Sequence, residues 1–180
     1  PKSIVGKESD SIVLAGLESQ LRILTCKLIE ADFDFSKSKV RSLHTTGDII
    51  TERLRTWYEN TWKCPLIDCY SMTEVIGGAN RCSECGYRHF DPQVVGEIID
   101  LKNLEPISTG VGELVVTCLF PFVQKQPIIR YRTGDLAEQG PTTCPVDSFA
   151  FNLKGRAGQC AFDIDIGEDQ RRPLLFAIDV

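Results

Sequence analysis

The stretch from Asp68 to His89, DCYSMTEVIGGANRCSECGYRH, sets two kinds of chemistry side by side and fixes how the rest of the chain is read. Its first part, YSMTE from Tyr70 to Glu74, follows an apolar run and has the composition of a strand end entering a polar turn. Its last part is the pair Cys82-Ser-Glu-Cys85, with His89 four residues beyond. A ring, a hydroxyl and a carboxylate in one turn can hold an aromatic base, a phosphate oxygen and a Mg2+ ion together, because hard cations take carboxylate and phosphate oxygens. The same five residues also read as a plain strand end, and on their own they do not separate the two.

Working back from Tyr70, Leu66 to Tyr70 reads as a strand. The helix before it, Ile50 to Trp62, would bury Ile50, Leu54, Trp57, Tyr58 and Trp62 and stop at Pro65. Val40 to His44 reads as a short strand leading into Thr45-Thr-Gly-Asp48, with turn chemistry at Gly47 and Asp48 as a cap for the next helix. Between Ser11 and Glu30, Leu14, Leu17, Leu21, Leu24 and Leu28 alternate spacings of three and four, which predicts one packed helix. Helix, strand, turn, helix, strand is the order of an α/β sheet, and ligands bind at the carboxyl ends of such strands.

Beyond Val94 the texture changes to short strands: Val94 to Asp100, Gly112 to Leu119, Pro127 to Arg132, Ser148 to Lys154, Cys160 to Ile166 and Leu174 to Val180. In the fifth, Phe162, Ile164 and Ile166 alternate with Asp163 and Asp165. The expected fold is therefore α/β, the end of an α/β sheet subdomain over residues 1–92 followed by a largely antiparallel, barrel-like β subdomain over 93–180.

A chain of 180 residues with 42% hydrophobic and 25% charged residues has the composition of a globular domain with a real core. The net charge of -5 argues against nucleic acid or an anionic membrane as a partner. No apolar run is long enough to span a bilayer, so the expected compartment is the cytoplasm and the eight cysteines are expected to be reduced. The chain begins at Pro1 without a methionine, which suggests a piece of something longer.

The order of the motifs is more specific than any one of them. Thr45-Thr-Gly-Asp48, Tyr70-Ser-Met-Thr-Glu74, Gly112-Glu-Leu-Val-Val-Thr117, Arg130-Tyr-Arg-Thr-Gly-Asp135 and Lys154-Gly-Arg156 together resemble the series of the acyl-adenylate-forming enzymes. The nearest branch is the phenylacetate–CoA ligase and coenzyme F390 synthetase group, over about Val40 to Gln159. The resemblance implies ATP-dependent activation of a small carboxylic acid, aromatic acids included, as an acyl-adenylate, followed by transfer to coenzyme A. It implies that Gly47 and Asp48 lie along the adenine, that Tyr70 packs on the base, and that Ser71 and Met72 complete that turn, Ser71 replacing the more usual glycine. Thr73 would bind the α-phosphate, Glu74 the Mg2+, Asp135 both ribose hydroxyls, and Arg156 the ribose and phosphate. A homodimer is left open as the assembly.

Three departures stand beside the resemblance. The Ser/Thr/Gly-rich phosphate loop is absent, only 24 residues follow Arg156 where a lysine-bearing domain is usual, and Gly158 stands where an Asp or Lys is common. The alternative function is accordingly a non-catalytic nucleotide-binding or scaffold fragment. Taken singly, Asp135 also reads as a turn residue, Arg156 as a surface cation and Tyr70 as a core ring.

Cys82, Cys85 and His89 have the spacing of a zinc knuckle, with Gly86 letting the backbone close round the metal. The resemblance suggests Cys144 as the fourth ligand of a structural Zn2+, although the second cysteine usual in that turn is missing from Cys144-Pro-Val-Asp147. The competing reading is two buried thiols and a surface histidine. Cys26, Cys64, Cys69, Cys118 and Cys160 read as small core residues, and His44 as a structural imidazole.

Overall fold

The computed structural model describes residues 11–140, 144–146 and 149–158, and the backbone of 159, 161–164 and 171–175. The chain forms two compact units, Pro1–Cys69 and Tyr70–Val180. The boundary falls at Tyr70 and not after residue 92. The cause is a hairpin of short strands, Gly78–Arg81 and Arg88–Phe90, which hydrogen-bonds into the antiparallel sheet and carries the YSMTE turn into the second unit.

The first unit contains strands β1 (Ile12–Leu17) and β2 (Val40–Thr46), the first part of β3 (Leu66–Ser71), and helices α1 (Glu18–Glu30) and α2 (Glu52–Trp62). β2 pairs in parallel with both β1 and β3, so each helix serves as the crossover that parallel strands require. The single helix expected from Ser11 is half wrong, since Ile12-Val-Leu-Ala-Gly-Leu17 is a strand. A β-branched pair at its start and a helix-weakening Gly16 favour the extended form, which β2 then satisfies. The leucine row thus runs across two elements. Leu21 is buried, whereas Leu17 and Leu24 are exposed.

Helix α2 begins where expected, but its cap is Thr51, whose Oγ1 accepts the Leu54 N–H at 3.2 Å, and not Asp48. Thr51→Ala should cost about 1 kcal/mol, a drop of a few degrees in thermal midpoint read by circular dichroism. Lys63 ends the helix in the left-handed conformation, just ahead of Pro65.

The core of this unit is Leu21, Leu43, Ile50, Tyr58, Trp62, Cys64 and Leu66. Several polar groups inside it are paired. Tyr58 Oη donates to Glu18, Trp62 Nε1 donates to Thr25 Oγ1 at 3.0 Å, and Arg55 Nη2 lies 3.6 Å from the carboxylate of Asp68, which is 2% exposed. His44 lies inside β2, its Nε2 3.2 Å from Ser42 Oγ.

The second unit is a six-stranded sheet in the order β4 (Gly78–Arg81), β5 (Arg88–Phe90), β9 (Ala150–Arg156), β8 (Tyr131–Gln139), β7 (Val111–Cys118) and β6 (Val94–Ile99), every pair antiparallel. Within this unit β4 and β6 are its two ends, so the sheet is open and the barrel-like closure is not realised among the described residues. Phe90, Phe149 and Phe151 stack over it, Phe90 and Phe151 at 4.8 Å.

The strand expected at Pro127 to Arg132 begins instead at Tyr131 and continues through Arg132-Thr-Gly-Asp135 to Gln139, so the supposed turn lies inside β8. A separate pair, β10 (Ala161–Ile164) and β11 (Arg171–Leu175), is antiparallel. The last strand thus precedes its expected span, and Ser148, Cys160, Asp165, Ile166 and residues 176–180 lie outside the described residues. Among the described residues no helix is long and apolar enough to cross a membrane.

Candidate functional site

The site begins with an irregularity in a sheet. Glu113 on β7 faces Leu136 on β8, but Val115 faces Arg132, so β8 takes four steps where β7 takes two. The surplus is absorbed at Thr133-Gly-Asp135, with Gly134 at φ +74°, a conformation that side-chain-bearing residues rarely adopt. Because this segment has left the ladder with β7, its polar groups on that side need other partners. Glu113, buried at 4% exposure, supplies them: Oε1 accepts the Gly134 N–H at 3.1 Å, and Oε2 accepts Arg132 Nε at 2.9 Å and Nη2 as well. Thr133 Oγ1 donates to Leu114 O at 2.9 Å and accepts the Asp135 N–H at 3.0 Å.

The segment so held presents the Asp135 carboxylate, 8% exposed. Tyr70 Oη donates to its Oδ2 at 2.7 Å, and Arg156 Nε, on the residue directly opposite in β9, lies 3.2 Å from its Oδ1. Burial, then the charge and hydrogen bond of Asp135, push the Tyr70 phenol far above the ordinary tyrosine range, so this proton stays on the phenol and points at the carboxylate. The ring sits edge-on to Phe151 at 5.8 Å and Phe90 at 6.1 Å. Each carboxylate oxygen has two acceptor positions, so one protein partner apiece leaves capacity for an incoming hydroxyl.

Glu74 is exposed on the turn after β3, and Tyr131 Oη reaches its Oε1 at 3.4 Å, the long end of a hydrogen bond. Tyr131 and Asp135 belong to the same strand, so Glu74 and Arg156 both make contact with β8. Ser71 ends β3, Met72 is half-buried after it, and Thr73 is exposed beside Glu74. Gly47 and Asp48 lie exposed in the first unit, on the bend after β2. The structure thus joins Tyr70, Asp135 and Arg156 directly and Glu74 through Tyr131. Sequence reasoning missed Glu113 and Tyr131. Glu113 carried a signal, since an acid between apolar residues of a strand must be paired if it is buried.

The metal-type cluster is in the same unit. β4 and β5 are joined through residues 82–87, where Cys82 N donates to Tyr87 O at 2.8 Å and Gly86 N to Cys82 O at 3.0 Å, with Gly86 at φ +75°. His89 lies on β5 opposite Asn80, and β5 also pairs with β9, which brings the connection before β9, and Cys144 in it, to the knuckle. The ligand atoms of Cys82, Cys85, His89 and Cys144 all lie within 4.8 Å of one another. Cys82 Sγ is 3.7 Å from Cys144 Sγ, and Cys85 Sγ is 3.2 Å from His89 Nε2.

Two thiolates at ~2.3 Å from a tetrahedral ion are ~3.8 Å apart, so the sulfur spacing fits zinc and is far too long for a disulfide. Backbone N–H groups of Cys85 and Glu84 lower the Cys82 thiol. At Cys144 a hydrogen bond with the Val146 backbone pulls the other way, but burial and the neighbouring Cys85 and Cys82 raise its thiol to about 11. The described cysteines are all free thiols; Cys64 and Cys118 are buried and Cys69 half-buried, while Cys26, expected in the core, is exposed on α1.

No protein-family profile matches the chain. Over 98 residues it is 36% identical to a phenylacetate–coenzyme A ligase of Aromatoleum evansii, a match covering 52% of this chain and 22% of that protein. Among solved structures, an open conformation of 2-hydroxyisobutyryl-CoA ligase in complex with its acyl-AMP and CoA superposes with a TM-score of 0.71 at 19% identity, covering 88% of this chain and 39% of that one. A long-chain-fatty-acid–CoA ligase of Archaeoglobus fulgidus gives 0.60 at 14% identity, covering 80% and 34%. A benzoate–CoA ligase of Burkholderia xenovorans gives 0.56 at 14% identity, covering 81% and 31%. The chain therefore spans about a fifth of the curated relative and between three and four tenths of these solved structures.

Proposed function

We propose that the chain is one segment of an adenylate-forming acid–CoA ligase, a protein that activates a carboxylic acid with ATP and passes the acyl group to coenzyme A. A carboxylate oxygen attacks the α-phosphorus and pyrophosphate leaves; the coenzyme thiolate then attacks the acyl carbon and AMP leaves. The observation that carries this reading is the direct contact of Tyr70, Asp135 and Arg156, three motif residues from separate parts of the chain. Asp135 accepts the ribose hydroxyls, with Tyr70 fixing its orientation from beneath and offering its ring to the adenine. Arg156, whose side chain is 64% exposed, is free to swing toward ribose and phosphate. Thr73 donates to the α-phosphate and Glu74 ligates Mg2+, which offsets the repulsion between two reacting anions. Gly47 and Asp48 border the adenine, and Ser71 and Met72 line the same turn.

The acid is aromatic in this proposal, a choice supported by the 36% identity to a phenylacetate ligase and permitted by the small residues Gly77 to Ala79 after Glu74. Cys82, Cys85, His89 and Cys144 hold a structural Zn2+, since four protein ligands close a tetrahedral shell and leave no position for a reactive water.

Calorimetric titration of the chain with AMP tests the nucleotide site. Asp135→Asn should weaken AMP binding by about tenfold to a hundredfold, because charge-assisted hydrogen bonds to the ribose are lost. Equal affinities in the two proteins would refute the assignment. AMP binding without pyrophosphate release from ATP and an aryl acid, in the full-length protein, would favour a non-catalytic nucleotide-binding role.

A further inference from the structure

We infer that Glu113 is a positioning residue for Asp135, acting through the displaced segment of β8. The two oxygens of its buried carboxylate take the Gly134 N–H on one side and the Arg132 guanidinium on the other, which clamps the residues flanking Thr133. Gly134 is in the left-handed conformation with open space where a Cβ would stand, and the Glu113 contact to its N–H fixes the Thr133–Gly134 peptide, one residue before Asp135. Thr133 completes the clamp by bonding Leu114 O and the Asp135 N–H. An acid is required here because a single group must accept from a backbone amide and from a cation at once. Glutamine at the same place keeps the volume but has one acceptor, and its amide would face either Arg132 or the Gly134 N–H, donor against donor. The carboxylate's partners are Arg132 and Gly134, both in the segment that carries Asp135, so its influence on a ligand is routed through Asp135.

The binding consequence rests on the proposal that Asp135 accepts ribose hydroxyls, and the test separates the two. Glu113→Gln is compared with wild type for binding of AMP and of 2′,3′-dideoxy-AMP, and for hydrogen exchange at the Gly134 amide by NMR. Expected are a preference for AMP that shrinks by about tenfold, unchanged affinity for the dideoxy analogue, and Gly134 exchange at least about tenfold faster while Leu136 exchange holds. A merely structural role would weaken both nucleotides alike. If Glu113→Gln does not fold, Arg132→Lys, at a side chain 53% exposed, carries the same measurements with the same direction of change. Folded variants with wild-type Gly134 exchange and wild-type ribose preference would overturn the inference. If wild type does not distinguish AMP from the dideoxy analogue, the ribose role of Asp135 falls, and Gly134 exchange alone then decides for or against Glu113.

Discussion

One zinc ion per chain, lost on replacing Cys85 with alanine, is the expected result of metal analysis on the purified protein. The ligand atoms are already gathered within 4.8 Å, so binding orders little that the fold has not ordered. A ligand that binds only the folded state stabilises it by roughly 4 kcal/mol when its free concentration is a thousandfold above Kd. Stripping the metal with a chelator should therefore lower the thermal midpoint by many degrees, and restoring zinc should recover it. Cys85→Ala should make the midpoint insensitive to both treatments. Cys144→Ala tests the fourth position, where retention of metal with altered cobalt absorption would mean that water or another group completes the shell. A wild-type metal content no higher than that of Cys85→Ala would remove the site.

The second large effect is expected in the first unit. Asp68→Ala leaves the guanidinium of Arg55, 7% exposed, without its buried counter-charge. Breaking one side of a buried pair costs about 3–5 kcal/mol, because the remaining charge stays out of water. Glu52 and Glu59 lie 3.9 and 4.0 Å from the same guanidinium but are far more exposed, which places the cost near the lower figure. Urea unfolding should read it as a lower midpoint at unchanged slope. The pair Asp68→Leu with Arg55→Met should recover most of the loss, since apolar replacement of a whole buried ion pair is often neutral. A single alanine variant as stable as wild type would show that Asp68 is not what holds Arg55.

Much of this was legible from residues alone, for reasons that can be named. β2, α2, β3, β6 and β7 lie within a residue or two of their expected spans because each has a clear hydrophobic period and ends at Gly, Pro or a polar turn. The α1 region failed because leucines at helical spacing continued straight through a strand, so periodicity carried no mark where one element became the other. Thr-Gly-Asp in β8 failed because turn chemistry and an in-strand displacement use the same residues. The β4–β5 hairpin was hidden by strands of only a few residues, joined by a connection whose cysteines read first as metal ligands.

The grouping of Cys82, Cys85 and His89 was legible because those three are close in sequence, whereas Cys144 lies far along the chain and was reached only through the family resemblance. The contact of Tyr70 with Asp135 was not, since it links positions 65 apart and no local signal reports it. Glu113 belongs to the same class, a residue whose role is defined by what lies across the sheet.

The excess length in β8 is an even number of residues. Side chains in a strand alternate faces with a period of two, so the flanks on either side of Thr133-Gly-Asp135 remain in phase with β7. Lineages could therefore gain or shed this outcrop as a pair without turning Leu136 or Ala137 out of the core. A single-residue indel between Arg132 and Leu136 would invert the downstream strand, and such frameshifts of facing should be the rarest kind of length variation in this part of the chain.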